Sequence, residues 1–151
     1  MVSKQHQRSV KTLRAYQNNF LRYFLRYLLL QEKDCLEYLL SSTTGSGKTL
    51  ILQAIVGHAL RAGVIDRALI ITPQVQIESG FTFKAPFEIR SYKGSITLDP
   101  RKWEAARTST SQVKGFLHAH SPRQDVMVTT HSAVVRWVKE PGFLPEDLSG
   151  C

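Results

Sequence analysis

Apolar positions along the chain fall into two rhythms: short unbroken runs, and longer stretches with helical period. From Lys11 to Gln31 the pattern fits one helix at about 100° per residue. Leu13, Phe20, Phe24 and Tyr27 gather on one side of it, and Lys11, Arg14, Asn18, Arg22 and Arg26 on the other. Beyond Lys33 the rhythm changes. Leu36 to Ser41 reads as a buried strand, followed by a Gly/Ser/Thr turn and a helix from Lys48 to Arg61. Ala68 to Thr72 is a second buried strand, ended by Pro73, and Gln74 to Phe81 is helical in pattern. A short strand is expected over Glu88 to Tyr92, with turns at Gly94 and Pro100. Arg101 to His120 reads as a helix interrupted at Thr108 to Ser111, Asp125 to Thr129 as a third buried strand, and Ser132 to Lys139 as a helix. Apolar strands alternating with helices predict an α/β domain with a largely parallel sheet. No internal repeat, low-complexity tract or dividing linker interrupts the pattern.

Composition narrows the class. Of 151 residues 42% are hydrophobic and 21% charged, the balance of a soluble globular domain long enough to have a core without disulfides. The 20 Lys and Arg outnumber the 12 Asp and Glu, for a net charge of +8. Residues 1–34 hold seven basic and two acidic side chains, so +5 of that surplus sits in the first segment. This favours a polyanionic partner. Whether the basic side of the first helix touches phosphates or is simply solvated stays open at this stage. Two cysteines, Cys35 and Cys151, form no disulfide framework and suit a reducing, intracellular setting. Met1 to Gln7 is polar and lacks the apolar core of a signal peptide. The greasiest stretch, Tyr23 to Leu30, contains Arg26 and is far shorter than the ~20 residues that span a bilayer.

The chemistry is concentrated in Ser41-Ser42-Thr43-Thr44-Gly45-Ser46-Gly47-Lys48-Thr49, a glycine-rich turn between a strand pattern and a helix pattern. That is the setting a phosphate-binding loop requires. Gly45 and Gly47 allow backbone conformations that aim successive N–H groups at phosphate oxygens. Lys48 brings an ammonium to the β- and γ-phosphates, and Thr49 offers a hydroxyl to Mg²⁺. The following helix adds its positive N-terminal end. A chance match to GxGK followed by Ser or Thr arises in roughly 0.5% of chains of this length, so an accidental turn is the weaker reading.

Where the generic loop begins with glycine, this chain has Ser42. A small residue followed by TGSGKT resembles motif I of the superfamily 2 helicases and translocases. Three further segments resemble that superfamily's elements in the same order. Leu13-Arg14-Ala15-Tyr16-Gln17 resembles the element whose glutamine reads adenine. Ala68 to Phe81 resembles motif Ia, and Val126 to Ala133 resembles the next strand ending in Thr-Thr. The resemblance covers essentially the whole chain and is greatest to helicases grouped with type III restriction subunits. It implies a P-loop NTPase (RecA-like) fold, a parallel sheet flanked by helices, here incomplete. Residues 1–151 would form a partial helicase ATP-binding domain, with a basic N-terminal helix at 8–33 and a P-loop core at 35–151. The implied cofactors are ATP and Mg²⁺, held by Gln17, Thr44, Gly45, Ser46, Gly47, Lys48 and Thr49, with Thr49 on the metal. The implied nucleic-acid contacts are Thr72, Pro73, Gln74, Thr129 and Thr130. Implied partners are nucleic acid, DNA in preference to RNA, and the remainder of the helicase motor, in the cytoplasm and away from membranes.

One part of the pattern is missing. Hydrolysis needs a carboxylate near Mg²⁺ and another to position water, usually Asp-Glu at the end of an apolar strand. No run of four apolar residues here precedes such a pair. Val64-Ile65-Asp66 is too short, and Glu146-Asp147 follows Pro145. The family's Asp-Glu strand would follow the Ser132 to Lys139 helix, so the chain is expected to stop before it. The second RecA-like domain is expected to be absent too, and no catalytic residue is assigned. The sequence therefore predicts the ATP-binding part of a nucleic-acid-dependent ATPase, helicase or translocase that does not hydrolyse ATP alone. A nucleotide-binding fragment or pseudo-ATPase with an assembly or regulatory role is the alternative. A small P-loop kinase is disfavoured, because no acceptor or lid signature appears. His118 and His120, at alternate positions, do not face one metal on a helix; His131 is given no chemistry, and Trp103 and Trp137 are read as packing residues.

Overall fold

Backbone pairing sorts six strands into two three-stranded sheets, each belonging to a different compact unit. The computed structural model describes residues 9–29, 39–41, 43, 45, 47–73, 80–105 and 125–139, with Leu29, Glu104 and Ala105 by backbone only. The first unit comprises residues 1–57 and 85–99, and the second comprises 58–84 and 100–151.

In the first unit, β1 (Ser9–Thr12) runs parallel to β3 (Phe87–Ser91), in a register from Ser9↔Phe87 to Thr12↔Arg90. β4 (Gly94–Leu98) pairs antiparallel on the other side of β3, giving the order β1-β3-β4. Phe87 and Ile89 on β3 and Ile96 and Leu98 on β4 are buried, the alternation expected of a sheet with one face on a core. The sequence pattern placed Lys11 and Thr12 in a helix, and that expectation is corrected; the short strand expected over Glu88–Tyr92 is β3, and Gly94, expected in a turn, instead begins β4. Val10 and Thr12 are β-branched and pair with β3, and the Leu13 N–H donates to the Arg90 carbonyl at 2.9 Å, extending the same ladder. Non-local pairing of this kind leaves no periodic trace in a local window. The Tyr92-Lys93 turn is fastened by Ser91, whose Oγ accepts from the Lys93 N–H at 3.1 Å and donates to the Gly94 carbonyl at 3.2 Å.

The helix α1 therefore begins at Ala15 and runs to Leu29. Its buried stripe is Gln17, Leu21 and Leu25, spaced by four. Phe20 and Phe24 flank that stripe half-buried, and Tyr27 is exposed, so the core face is rotated from the side expected. The two leucines, good helix formers without branching at Cβ, take the centre instead of the aromatics. Asn18 closes the entry to α1 by donating from Nδ2 to the Leu13 carbonyl at 3.2 Å.

α2 spans Lys48–Arg61, as its pattern predicts, and contributes residues 48–57 to the first unit. Its end is set by Gly63 at φ 70°, where the Gly63 N–H bonds the Leu60 carbonyl and the Val64 N–H the Ala59 carbonyl. This double closure satisfies carbonyls that the helix leaves without partners.

In the second unit, β2 (Ala68–Thr72), β6 (Val126–Thr130) and β5 (Trp103–Ala105) are all parallel, in the order β2-β6-β5. The central strand, β6, buries Val126 to Thr129 without a break, as expected of a strand covered on both faces. The expectation of helix from Arg101 is corrected: Pro100–Lys102 is a 3₁₀ turn and Trp103–Ala105 is strand, paired from Trp103↔Val126. Pairing satisfies that backbone while Trp103 buries its ring 5.9 Å from Phe83, tilted by 55°. Asp125 leads into β6, its N–H on the Lys102 carbonyl and its carbonyl receiving the Ala68 N–H. α3 (His131–Val138) follows at once and buries Trp137, so both tryptophans pack as expected.

Of the remaining expectations, Leu39–Ser41 is not strand, and Leu39 is 89% exposed; it has none of the ladder pairing that defines the buried strand foreseen there. Leu36–Tyr38, residues 74–79 and residues 106–124 lie outside the described residues, and Gly80 and Phe81 are helical.

Gly57 on α2 packs closely against β4 in the first unit. A Cβ there would sit 2.6 Å from Ile96 Cδ1 and 3.1 Å from Leu98 Cδ2. Replacing a helical glycine by alanine usually gains about 1 kcal/mol, but overpacking a core costs about 1–3 kcal/mol. Gly57→Ala is expected to lower the denaturation midpoint, whereas in an Ile96→Val background, where Cδ1 is gone, it raises it. Equilibrium urea unfolding of the four proteins checks the change of sign.

Candidate nucleotide-binding site

The phosphate-loop residues that the structure describes are built on the start of α2. Gly45 and Gly47 have φ of 78° and 80°, the left-handed region in which side-chain-bearing residues are strained. Nothing lies within 4 Å of a Cβ built on Gly45, so the loop is open on that side. At Gly47 a Cβ would meet Gln17 Nε2, the far end of a flexible side chain that would have to shift, so the positive φ is the stronger demand for glycine there. The Gly47 carbonyl accepts the first helical bond of α2 from the Ile51 N–H at 3.1 Å. The next N–H groups are at the helix N-terminus, where partial positive charge accumulates. Lys48 is exposed and Thr49 half-buried. Thr44 and Ser46 lie outside the described residues.

Gln17 ties this loop to the start of α1. It is 4% exposed, its Oε1 accepts from the Arg14 N–H at 2.8 Å, and its Nε2 donates to the Gly47 carbonyl at 3.4 Å. With Arg14 at the cap position, Gln17 is the third residue of the helix, and its reach back to the cap N–H is one half of a capping box. The glutamine expected to read adenine thus has a structural task that its place in an LRAYQ segment does not reveal. It also brings the segment ahead of the loop within one hydrogen bond of Gly47.

The second group of candidate residues lies in the second unit. Thr72 and Thr130 are cross-strand partners at the C-terminal ends of parallel β2 and β6, and Ile71 partners Thr129. Thr72 Oγ1 donates to the Thr129 carbonyl at 3.3 Å, with both residues buried. Thr130 caps α3, its Oγ1 accepting from the Ala133 N–H at 3.4 Å. Pro73 is exposed, and Gln74 lies outside the described residues. Carboxyl ends of parallel strands are where open α/β sheets bind ligands, and the pairing sets Thr72, Pro73, Thr129 and Thr130 together there.

The family model for the type III restriction enzyme, res subunit, matches residues 10–136. The chain belongs to this family. The match takes in Gln17, the phosphate loop and both strand ends, and the family is a helicase superfamily 2 N-terminal domain family with a P-loop NTPase fold. No curated protein and no solved structure matches the chain. The chain is mixed α/β, but its described strands form one all-parallel and one mixed three-stranded sheet, not the single largely parallel sheet expected. Among its described residues no group of three or more His, Cys, Asp or Glu is placed to hold a metal, and His118 and His120 lie outside them. No described helix is long and apolar enough to cross a membrane.

One contact escaped the sequence reading. The Tyr92 N–H donates to Asn18 Oδ1 at 2.9 Å, and the Arg22 guanidinium lies 4.8 Å from the Tyr92 ring centre, so the β3–β4 turn is fixed to the basic side of α1. Burial raises the Tyr92 phenol above the ordinary tyrosine pKa, with Arg22 partly opposing the rise, so the ring is neutral near pH 7. The only hint was the SYKG turn signature before Ile96.

The two roles open to Thr130 separate on substitution. Thr130→Ala is expected to cost about 1 kcal/mol by removing the cap. Thr130→Asp keeps a capping oxygen and the stability, but places a negative charge where a phosphate contact is expected. Thermal melts together with oligonucleotide binding by the two variants distinguish helix capping from backbone contact.

Proposed function

We propose that this chain is the ATP-binding part of a nucleic-acid-dependent ATPase of the helicase or translocase type. The observation that carries the reading is the bond from Gln17 to Gly47, which brings a candidate adenine reader and the phosphate loop into one site within the first unit. Adenine presents an N6 donor beside an N7 acceptor, the edge that a glutamine amide complements. Beside it, the backbone around Gly45 and Gly47, with Thr44 and Ser46, would cradle the phosphates, and Lys48 would neutralise the β- and γ-oxygens. The openness at Gly45 fits such a cradle. Thr49 would give Mg²⁺ one oxygen ligand; bound there, the ion would offset charge on the phosphates. Thr72, Pro73, Gln74, Thr129 and Thr130 are proposed to meet the nucleic-acid backbone, in DNA before RNA. The rest of the motor is the expected partner. We take 1–151 as one partial helicase ATP-binding domain, with residues 8–33 as its basic segment and 35–151 as its core, acting in the cytoplasm.

Turnover by residues 1–151 alone is not expected. Orienting water and completing the metal shell are electrostatic tasks that dominate phosphoryl transfer, and no Asp-Glu pair follows an apolar strand of four residues in this sequence. The same absence supports the alternative, a nucleotide-binding module that acts through assembly or regulation.

Lys48→Ala removes a charge-assisted contact worth about 1.5–3 kcal/mol, so ATP affinity should fall at least about tenfold in a titration. GTP should compete poorly; equal affinity for ATP and GTP would remove Gln17 from the adenine role and leave the loop assignment standing. Steady-state phosphate release by the purified chain should match that of Lys48→Ala, with or without DNA. DNA-stimulated release abolished by the substitution would show that a carboxylate such as Asp66 or Asp125 serves the metal.

A further inference from the structure

We infer that the outer side of α1, together with the Tyr92-Lys93 turn, is a docking track for single-stranded nucleic acid, separate from the strand-end threonines. The inference extends the nucleic-acid dependence proposed above. Arg22 and Arg26 are exposed on α1 four residues apart, with about 6 Å of rise between them, and Arg14 is exposed at the cap position, eight residues before Arg22. Asn18 lies midway between Arg14 and Arg22, and its side chain is committed to holding the turn through the Tyr92 N–H. The turn therefore adds Lys93 beside the arginine stripe, on a backbone anchored by hydrogen bonds at Asn18 and Ser91.

Two observations favour a nucleic acid over a merely solvated surface. Among the described residues no carboxylate pairs with Arg14, Arg22, Arg26 or Lys93. The acidic residues described in this unit are Glu88 and Asp99, and Glu88 is engaged by Arg90 at 3.3 Å. Aromatic rings also lie among the cations. Tyr23 is 63% exposed on the flank of the stripe, and Tyr92 holds Arg22 against its face. Exposed rings beside a line of cations are the combination that binds single strands, where bases stack and phosphates pair. An anionic membrane would engage the cations but gives these polar-edged rings no base to stack on.

The test is fluorescence anisotropy of the full chain with a labelled oligo-dT and oligo-U of about 20 nucleotides, without nucleotide, across about 50–200 mM salt. Arg22→Gln/Arg26→Gln/Lys93→Gln is expected to reduce the slope of log affinity against log salt by about 2, at about 0.7 for each single-strand phosphate no longer neutralised. Arg26→Gln/Lys93→Gln leaves the Arg22–Tyr92 contact intact and should reduce it by about 1.4. Its melting curve shows whether the fold is kept. Lys84→Gln/Arg136→Gln/Lys139→Gln removes the same charge from exposed positions of the second unit and should leave the slope unchanged. Tyr23→Leu, which changes no charge, should weaken oligonucleotide binding several-fold at constant slope. An unchanged slope in the first two variants, or an equal drop in the control, overturns the inference. So does capture by phosphatidylserine vesicles through these residues without oligonucleotide binding. ATP titration of the same variants is independent: ATP affinity retained while the salt slope falls upholds this track, and failure of ATP binding alone refutes only the nucleotide reading.

Discussion

The side-chain amide of Gln17 is the contact on which the first unit depends. Its oxygen holds the N–H that opens α1, and its nitrogen holds the carbonyl that opens α2. Both helices start at their least satisfied point, where N–H groups lack intrahelical partners and small changes in direction are amplified along the axis. A single buried amide at both starts fixes one relative to the other. A Cβ at Gly47 would push Gln17 Nε2 aside and so disturb this bond. The glycine itself is demanded by the positive φ that shapes the loop.

In the second unit the comparable constraint is the central strand. β6 has a partner on each side, and its apolar run is buried from Val126 to Val128, with Thr129 buried next. Because β2 and β6 run parallel and in register, their polar ends emerge at the same edge, and Thr72 and Thr130 become neighbours though 58 positions apart. The threonines there are not idle scaffolding. One stitches the strands by bonding the Thr129 carbonyl, and the other starts α3. Groups with such structural tasks are held in place.

The charge distribution has its own logic. Lys102 and Asp125 face one another at 3.9 Å across partly exposed surface, a pair that water screens and that contributes little. The arginines of α1 have no such carboxylates among the described residues, while one of them stacks on Tyr92. Cations held against an aromatic face keep their charge and lose conformational freedom before any partner arrives.

Much of this was legible in the residues themselves. α2, β2 and α3 follow from local patterns, because helix period, an apolar run and a Thr cap are properties of neighbouring positions. The phosphate loop was legible for the same reason: its chemistry is contiguous, from Gly45 to Thr49. What the sequence left undecided was non-local. β1 and β5 are strands only because β3 and β6 supply ladder partners 78 and 23 positions away, so local period pointed instead to helix. The face of α1 that is buried, the bond from Gln17 to Gly47 and the seating of Tyr92 on Arg22 likewise come from residues that meet only when the chain has folded. Local propensity determines which segments can be helix or strand; burial and pairing between distant segments decide which of them are, because only those contacts satisfy the backbone and cover the apolar surface at once.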